Sequence, residues 1–189
     1  MILVKDIITD DHPTLRKIAD EVKTPVSKKD LKALKDMMVY LERSQDEDLC
    51  DKYDLKPGVG LAAPQINLSK RMLAILAPDE NGIDKEYGII NPVILGESVQ
   101  MTYLDGGEGC LSLPGQSGTV PRHKKVKFRA LFYNYKDKTL EERTETFIGY
   151  LAIVFQHEFD HINGILFTDK VKEDLKDIVP LSQIDKKDE

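Results

Sequence analysis

His157 and His161 stand four residues apart in Q-H-E-F-D-H, residues 156–161, with Glu158 between them. Neutral imidazole is a good ligand for zinc and iron. On a helix, residues i and i+4 lie about 40° apart and one turn up, so both rings reach one ion. Glu158 falls to one side of that pair, near a metal-bound water but outside the ligand set. This is the pattern of metal-assisted hydrolysis: the ion activates water and the carboxylate takes its proton. The alternative is a pair of surface histidines on an ordinary helix. The run before them, I-G-Y-L-A-I-V-F from residue 148, is apolar nearly all round and draws the pair into the core instead.

Two imidazoles need a third protein ligand. After the pair, the metzincin pattern would place another histidine, but Phe167 stands there and cannot bind a metal. Downstream glutamates occur only at 173 and 189, in no helical context that points back. Upstream, the candidates are Cys110, His123 and His12. His12 precedes a proline, and His123 sits in the basic run Arg122-His123-Lys124-Lys125, both settings that favour exposure. Cys110 lies in E-G-C-L-S beside a Gly-rich loop and is the best third ligand. Cys50, at the end of a polar helical run, reads as a spare thiol.

The chain of 189 residues suits one domain, and 41% hydrophobic and 32% charged residues are an ordinary globular composition. The net charge of −6 argues against direct nucleic-acid binding, and no apolar run is long enough to cross a bilayer. Two cysteines make no disulfide framework, and the start lacks the basic and apolar regions of a secretory signal, so a cytoplasmic location is expected. Residues 12–22 read as a short helix. A longer amphipathic helix follows from an N-cap at Ser27, with Leu31, Leu34, Met38 and Leu41 on one face, ending before Lys56-Pro57-Gly58. Residues 71–77, 87–95 and 97–104 read as strands and 106–118 as a Gly-rich loop. Alternating segments around Lys136-Asp137-Lys138 predict a hairpin, and Asn163-Gly164 closes the helix that carries the two histidines. The charged tail, from about residue 170, is expected to be loosely ordered at its end. The sum is an α+β fold with antiparallel strands around a central helix.

Three segments, G-V-G-L-A-A-P-Q at 58–65, E-G-C-L-S at 108–112 and Q-H-E-F-D-H at 156–161, resemble in order and spacing the three motifs of peptide deformylases. The opening D-H-P-T-L-R-K-I-A-D-E-V is similar too, and the stretch before residue 60 looks like the insertion of the Gram-positive, type 2 branch. The resemblance implies removal of the formyl group from the N-terminal formylmethionine of nascent polypeptides, within antiparallel sheets surrounding the helix. It implies one divalent metal, Fe²⁺ in the cell, replaceable by Zn²⁺, Ni²⁺ or Co²⁺. Carried over, the ligands are Cys110, His157 and His161, with Glu158 as acid/base. Gln65 and the Leu111 N–H bind the reacting oxygen, and Gly109 is a further substrate contact. Formylmethionyl nascent peptides are the implied partners, with the ribosome beside them and no membrane. Residues 114–117, P-G-Q-S, depart from many relatives, and no substrate contact is assigned to them.

A thiolate ligand donates more charge than a third imidazole and helps hold Fe²⁺ or Zn²⁺. Tyr150, Ile153 and Val154 precede His157 on its side of the helix and, with Val59 and Leu61, could wall a pocket for the methionine side chain. Gly58 and Gly60 would let substrate backbone pair as an added strand. Asp160 reads as structural, paired with a base such as Arg122. Two rivals are a general metallopeptidase with a His₂Cys site and a non-catalytic metal or redox module. The latter has no need of Glu158 or Gln65.

Overall fold

The computed structural model describes residues 1–184. Two consecutive helices, α1 (Lys28–Gln45) and α2 (Glu47–Tyr53), precede the strands. Ser27 Oγ accepts from Asp30 N–H at the head of α1. The single long helix expected here is broken at Asp46, whose side chain accepts from Leu49 N–H and starts α2. Residues 12–22 form only a 3-10 turn, Pro13–Arg16, capped by His12 Nδ1. Beyond it the chain is drawn into tertiary pairing: Ala19 N–H donates to Ile162 and Arg71 N–H to Asp20. Those contacts outweigh local helix preference.

The strands are β1 (Gly60–Ala62), β2 (Met72–Pro78), β3 (Asp84–Glu97), β4 (Met101–Thr102), β5 (Glu108–Cys110), β6 (Leu113–Gly118), β7 (Arg122–His123), β8 (Lys125–Asn134) and β9 (Thr139–Ile148). Among the described residues, five of them form one antiparallel sheet in the order β1-β2-β3-β8-β9. The pairs β4/β7 and β5/β6 are separate two-stranded sheets. The strand expected at 97–104 shrinks to β4, and the Gly-rich loop at 106–118 is the β5–β6 hairpin. Between β8 and β9, Asn134 Oδ1 accepts from the N–H groups of Lys136 and Asp137, and Lys138 takes a positive φ of 57°. That is an Asx-type turn of the expected hairpin.

The helix α3 (Gly149–His161) follows β9 directly. Both faces of the sheet are covered, as the alternation of β2 shows: Leu73 and Ile75 face α3, while Met72 and Ala74 face α1. On the α3 side, Phe128 stacks on Phe155 at 4.0 Å, with Phe132, Phe147, Leu151 and Ala152 around them. On the other side Leu34, Met37, Met38 and Leu41 bury α1 against Ile90 and Tyr133. Truncating Phe155, fully buried, would cost about 3–5 kcal/mol, so the helix that carries the two histidines is rigidly seated. Gly164, at φ 73°, ends it close against the Arg16 backbone. Residues past Lys170 return along the body, where Lys172 N–H donates to Thr119 and Leu181 N–H to Tyr103. Of the tail expected to be loosely ordered from about residue 170, residues 185–189 lie outside the described residues. No helix among the described residues is long and apolar enough to cross a membrane.

Candidate active site

The second half of α3 carries the two histidines inward, and β5 brings Cys110 to meet them. One ligand atom from each of Cys110, His157 and His161 lies within 4.8 Å of the others. Cys110 Sγ is 3.2 Å from His161 Nε2. A cysteine sulfur and two imidazoles converging in this way suit a single zinc- or iron-type cation, and three protein ligands are the number a catalytic site provides. The other histidines stay away. His12 caps the turn at Thr14, and His123 Nδ1 lies 2.7 Å from Ser98 O. Phe167, where a metzincin would have its third histidine, lies nearly parallel to the His157 ring with centroids 6.1 Å apart.

Behind these three side chains is a charge cluster that sequence reading largely missed. Glu108 and Cys110 are two apart on β5 and so share a face. Glu108 Oε2 sits 2.8 Å from His157 Nδ1, which leaves Nε2 for the cation side. Arg122 grips Glu108 with two bonds, Nε to Oε1 at 2.7 Å and Nη2 to Oε2 at 2.8 Å. Its Nη1 donates to Asp160 Oδ2 at 2.5 Å, the pairing expected for Asp160. Lys170 Nζ donates to Asp160 Oδ1 at 2.6 Å. Arg122 is only 2% exposed, although it opens a basic run that looked solvated. Two carboxylates and two cations close the cluster without net charge.

These contacts set the proton affinities. Burial alone would raise the Glu108 pKa, but the Arg122 and His157 bonds outweigh it and hold the carboxyl down to about 2. For His157, burial opposes the charged ring, while Cys110 and Glu108 pull its pKa up to about 10. Surroundings that favour a proton there also favour a cation held between the three ligands. Burial, together with the nearby His157 and Arg122 charges, holds His161 well below its usual range. Burial pushes Glu158 up to about 7 against the attraction of His157. Glu158 is 4% exposed, and its Oε2 has no hydrogen-bond partner among the described residues. A buried, unpartnered carboxylate oxygen beside the Cys110, His157 and His161 cluster, on a side chain that lines the cleft, is suited to a water.

Gln65 is oriented for donation. Its Oε1 accepts from Ala62 N–H at 2.8 Å, so its amino group turns to Cys110 Sγ (3.5 Å) and Ser112 Oγ (3.3 Å). A cleft of about 520 Å³ lies in front of these groups. Its walls include Val59, Gly60, Gly109, Leu111, Tyr150, Ile153 and Val154, all expected there. Leu61 is not among them. It is fully buried on the α1 side, because alternate residues of β1 face opposite ways. Gly60 has a reason beyond backbone pairing: a Cβ there would lie 2.4 Å from Glu158 Oε1. Pro114, Gly115 and Gln116, to which no contact was assigned, also line the cleft.

A family model described as polypeptide deformylase matches residues 4–177. A peptide deformylase of Limosilactobacillus reuteri is 49% identical over 179 residues, 92% of this chain and 93% of that protein. The peptide deformylase of Halalkalibacterium halodurans is 46% identical over 175 residues, 91% of this chain and 92% of its own. Among solved structures, the Met-Ala-Ser-bound class I type b peptide deformylase of Acinetobacter baumannii superposes with a TM-score of 0.68 at 30% identity, covering 87% of this chain and 96% of that one. The family match spans all three motifs, and these relatives align over most of their length with a chain whose cysteine and two histidines converge on one point. The chain therefore belongs to the peptide deformylase family, hydrolases that remove the N-formyl group from nascent polypeptides.

Proposed function

We propose that Cys110, His157 and His161 hold one divalent cation and that Glu158, Gln65 and the Leu111 N–H act on the formyl group of a formylmethionyl peptide. The observation that carries this reading is the convergence of the three ligand atoms beside a buried, unpartnered Glu158 oxygen. When bound, the cation supplies a Lewis acid that acidifies water and polarises the formyl oxygen. Glu158 takes the proton of the attacking water, and its burial favours its holding that proton until it is passed on. As the water oxygen bonds to the formyl carbon, charge grows on the formyl oxygen. The Gln65 amino group and the Leu111 N–H stabilise it, each contributing about 3 kcal/mol when well aimed. Glu158 then passes its proton to the leaving nitrogen. The C–N bond breaks, and formate and a free amine depart.

The methionine side chain fits the apolar wall of Tyr150, Ile153 and Val154, with Val59, Gly60 and Gly109 along the peptide. The Met-Ala-Ser peptide bound by the Acinetobacter baumannii relative is of the product class this reading requires. Residues 1–189 act as one catalytic domain, meeting its substrates in the cytoplasm at the ribosome. The sulfur donor suits Fe²⁺ or Zn²⁺ alike, and membership of the family favours Fe²⁺ as the cellular ion, with Zn²⁺, Ni²⁺ or Co²⁺ as substitutes. Metal analysis of protein purified without oxygen checks that choice, and zinc alone would overturn it.

The test of function is formate release from formyl-Met-Ala by metal-loaded protein, against free and acetylated peptides. Glu158→Ala is expected to keep its metal and lose nearly all turnover. Near-normal kcat in that variant removes Glu158 from the reaction, and equal cleavage of acetylated peptide removes the deformylase reading.

A further inference from the structure

The lip of the cleft, Lys56-Pro57-Gly58, lies just before β1, the edge strand of the large sheet. The link from this stretch to β2 comes one residue later, where Val59 O accepts from Leu76 N–H at 2.9 Å. Alternate residues of an antiparallel edge strand turn their backbone groups to the partner, so Gly60 turns its own toward the open side. The cleft is walled by residues 56–60 and not by Leu61 or Ala62, so it extends from Glu158 toward Lys56. A peptide whose formyl end is at Glu158 therefore runs back along this lip.

The last turns of α1 fasten the lip, and Gln45 at the end of α1 itself lines the cleft beside it. Tyr40 OH donates to Lys56 O at 3.0 Å. Ser44 Oγ donates to Leu41 O and accepts from Gly58 N–H at 3.2 Å. Gln45 Nε2 donates to two carbonyls at once, Gly58 O and Leu76 O, each at 2.9 Å. One side-chain amide thus ties the lip to β2. The lip in turn touches the oxyanion side of the site: a Cβ on Gly58 would lie 3.1 Å from Leu111 Cδ1.

We propose that Gln45 is a positioning residue for substrate length: with Ser44, it holds the Gly58 lip at the spacing that lets residues beyond the formylmethionine pair with the chain. This rests on the substrate placement given above. Gln45 is exposed, so replacing it opens no core. Gln45→Met keeps the shape and removes both donors. Gln45→Glu sets a carboxylate against two carbonyl oxygens.

The experiment measures kcat and KM for formyl-Met-amide and formyl-Met-Ala-Ser in both variants, with metal content and binding of Met-Ala-Ser by calorimetry. Expected are a KM raised about three- to tenfold for the longer substrate, more in Gln45→Glu than in Gln45→Met, and a matching weakening of Met-Ala-Ser. For formyl-Met-amide, KM and kcat should stay within about twofold. Equal losses on both substrates would show a merely structural role and overturn the proposal, as would unchanged KM and peptide affinity. Failure of the wild-type protein to release formate would instead strike the deformylase assignment of the site.

Discussion

Gly60→Ala places a methyl group where the Glu158 carboxylate lies. The added Cβ would be 2.4 Å from Oε1 and 2.8 Å from both Cγ and Cδ. Restoring an ordinary contact requires the carboxylate to move by about 1 Å, a misplacement that costs on the order of 10²-fold in rate. The three nearest atoms all belong to Glu158, so the proposed ligands Cys110, His157 and His161 are not struck first. Expected, therefore, is a kcat lowered about 10²-fold, less than the loss in Glu158→Ala, with stability down by roughly 1–3 kcal/mol and bound metal unchanged. The assay is formate release from formyl-Met-Ala, read against metal content and thermal melting of the same preparations. Wild-type kcat in Gly60→Ala would refute the claim that Glu158 is held where it works. Loss of metal would show that the methyl group disturbs the ligands instead.

Glu108→Gln removes the charge behind His157 while keeping its shape, and metal affinity should fall about 10- to 100-fold in chelator competition; unchanged affinity would detach Glu108 from the metal site. The depressed Glu108 pKa, about 2 folded against 4.5 free, adds stability that is full above about pH 4.5 and lost as pH falls toward 2. The melting temperature should therefore drop by on the order of 5 °C between pH 6 and 3.5, and that part of the drop should vanish in Glu108→Gln. Val154→Ala widens the cleft wall three residues before His157 and should relax the preference for methionine over phenylalanine about tenfold in kcat/KM. Unchanged ratios would move the side-chain pocket elsewhere.

The histidine pair, its glutamate and Cys110 could be read from the chain because each is a chemical type at a fixed spacing, and an apolar run marks α3 as core. Glu108 was within reach of the same reasoning, since a strand places it on the Cys110 face. Arg122 was legible only as the partner of Asp160: local composition argued for solvent, and only the meeting of β7 with β5 and α3 buries it and brings it to Glu108. The break at Asp46 and the short turn at Pro13–Arg16 were lost for different reasons. The first is a side-chain cap inside a pattern that stays helical on both sides. The second is decided by partners more than a hundred residues away, such as Ile162 O on Ala19 N–H. Leu61 shows the limit of reading a motif as a unit, because its neighbours Val59 and Gly60 face the cleft while it faces α1.

Phe167 occupies the place where a metzincin would take its last ligand from the same stretch of chain, and the third donor gathered here, Cys110, lies on the β5–β6 hairpin instead. A cation bound by these three side chains would therefore act as a staple between two layers, besides serving as a reagent. Its binding free energy would add to whatever holds the β5–β6 hairpin against α3. Stripping the metal should then loosen that hairpin first, and amide exchange at Glu108–Cys110 and Leu113–Gly118 should quicken well before it does in the five-stranded sheet.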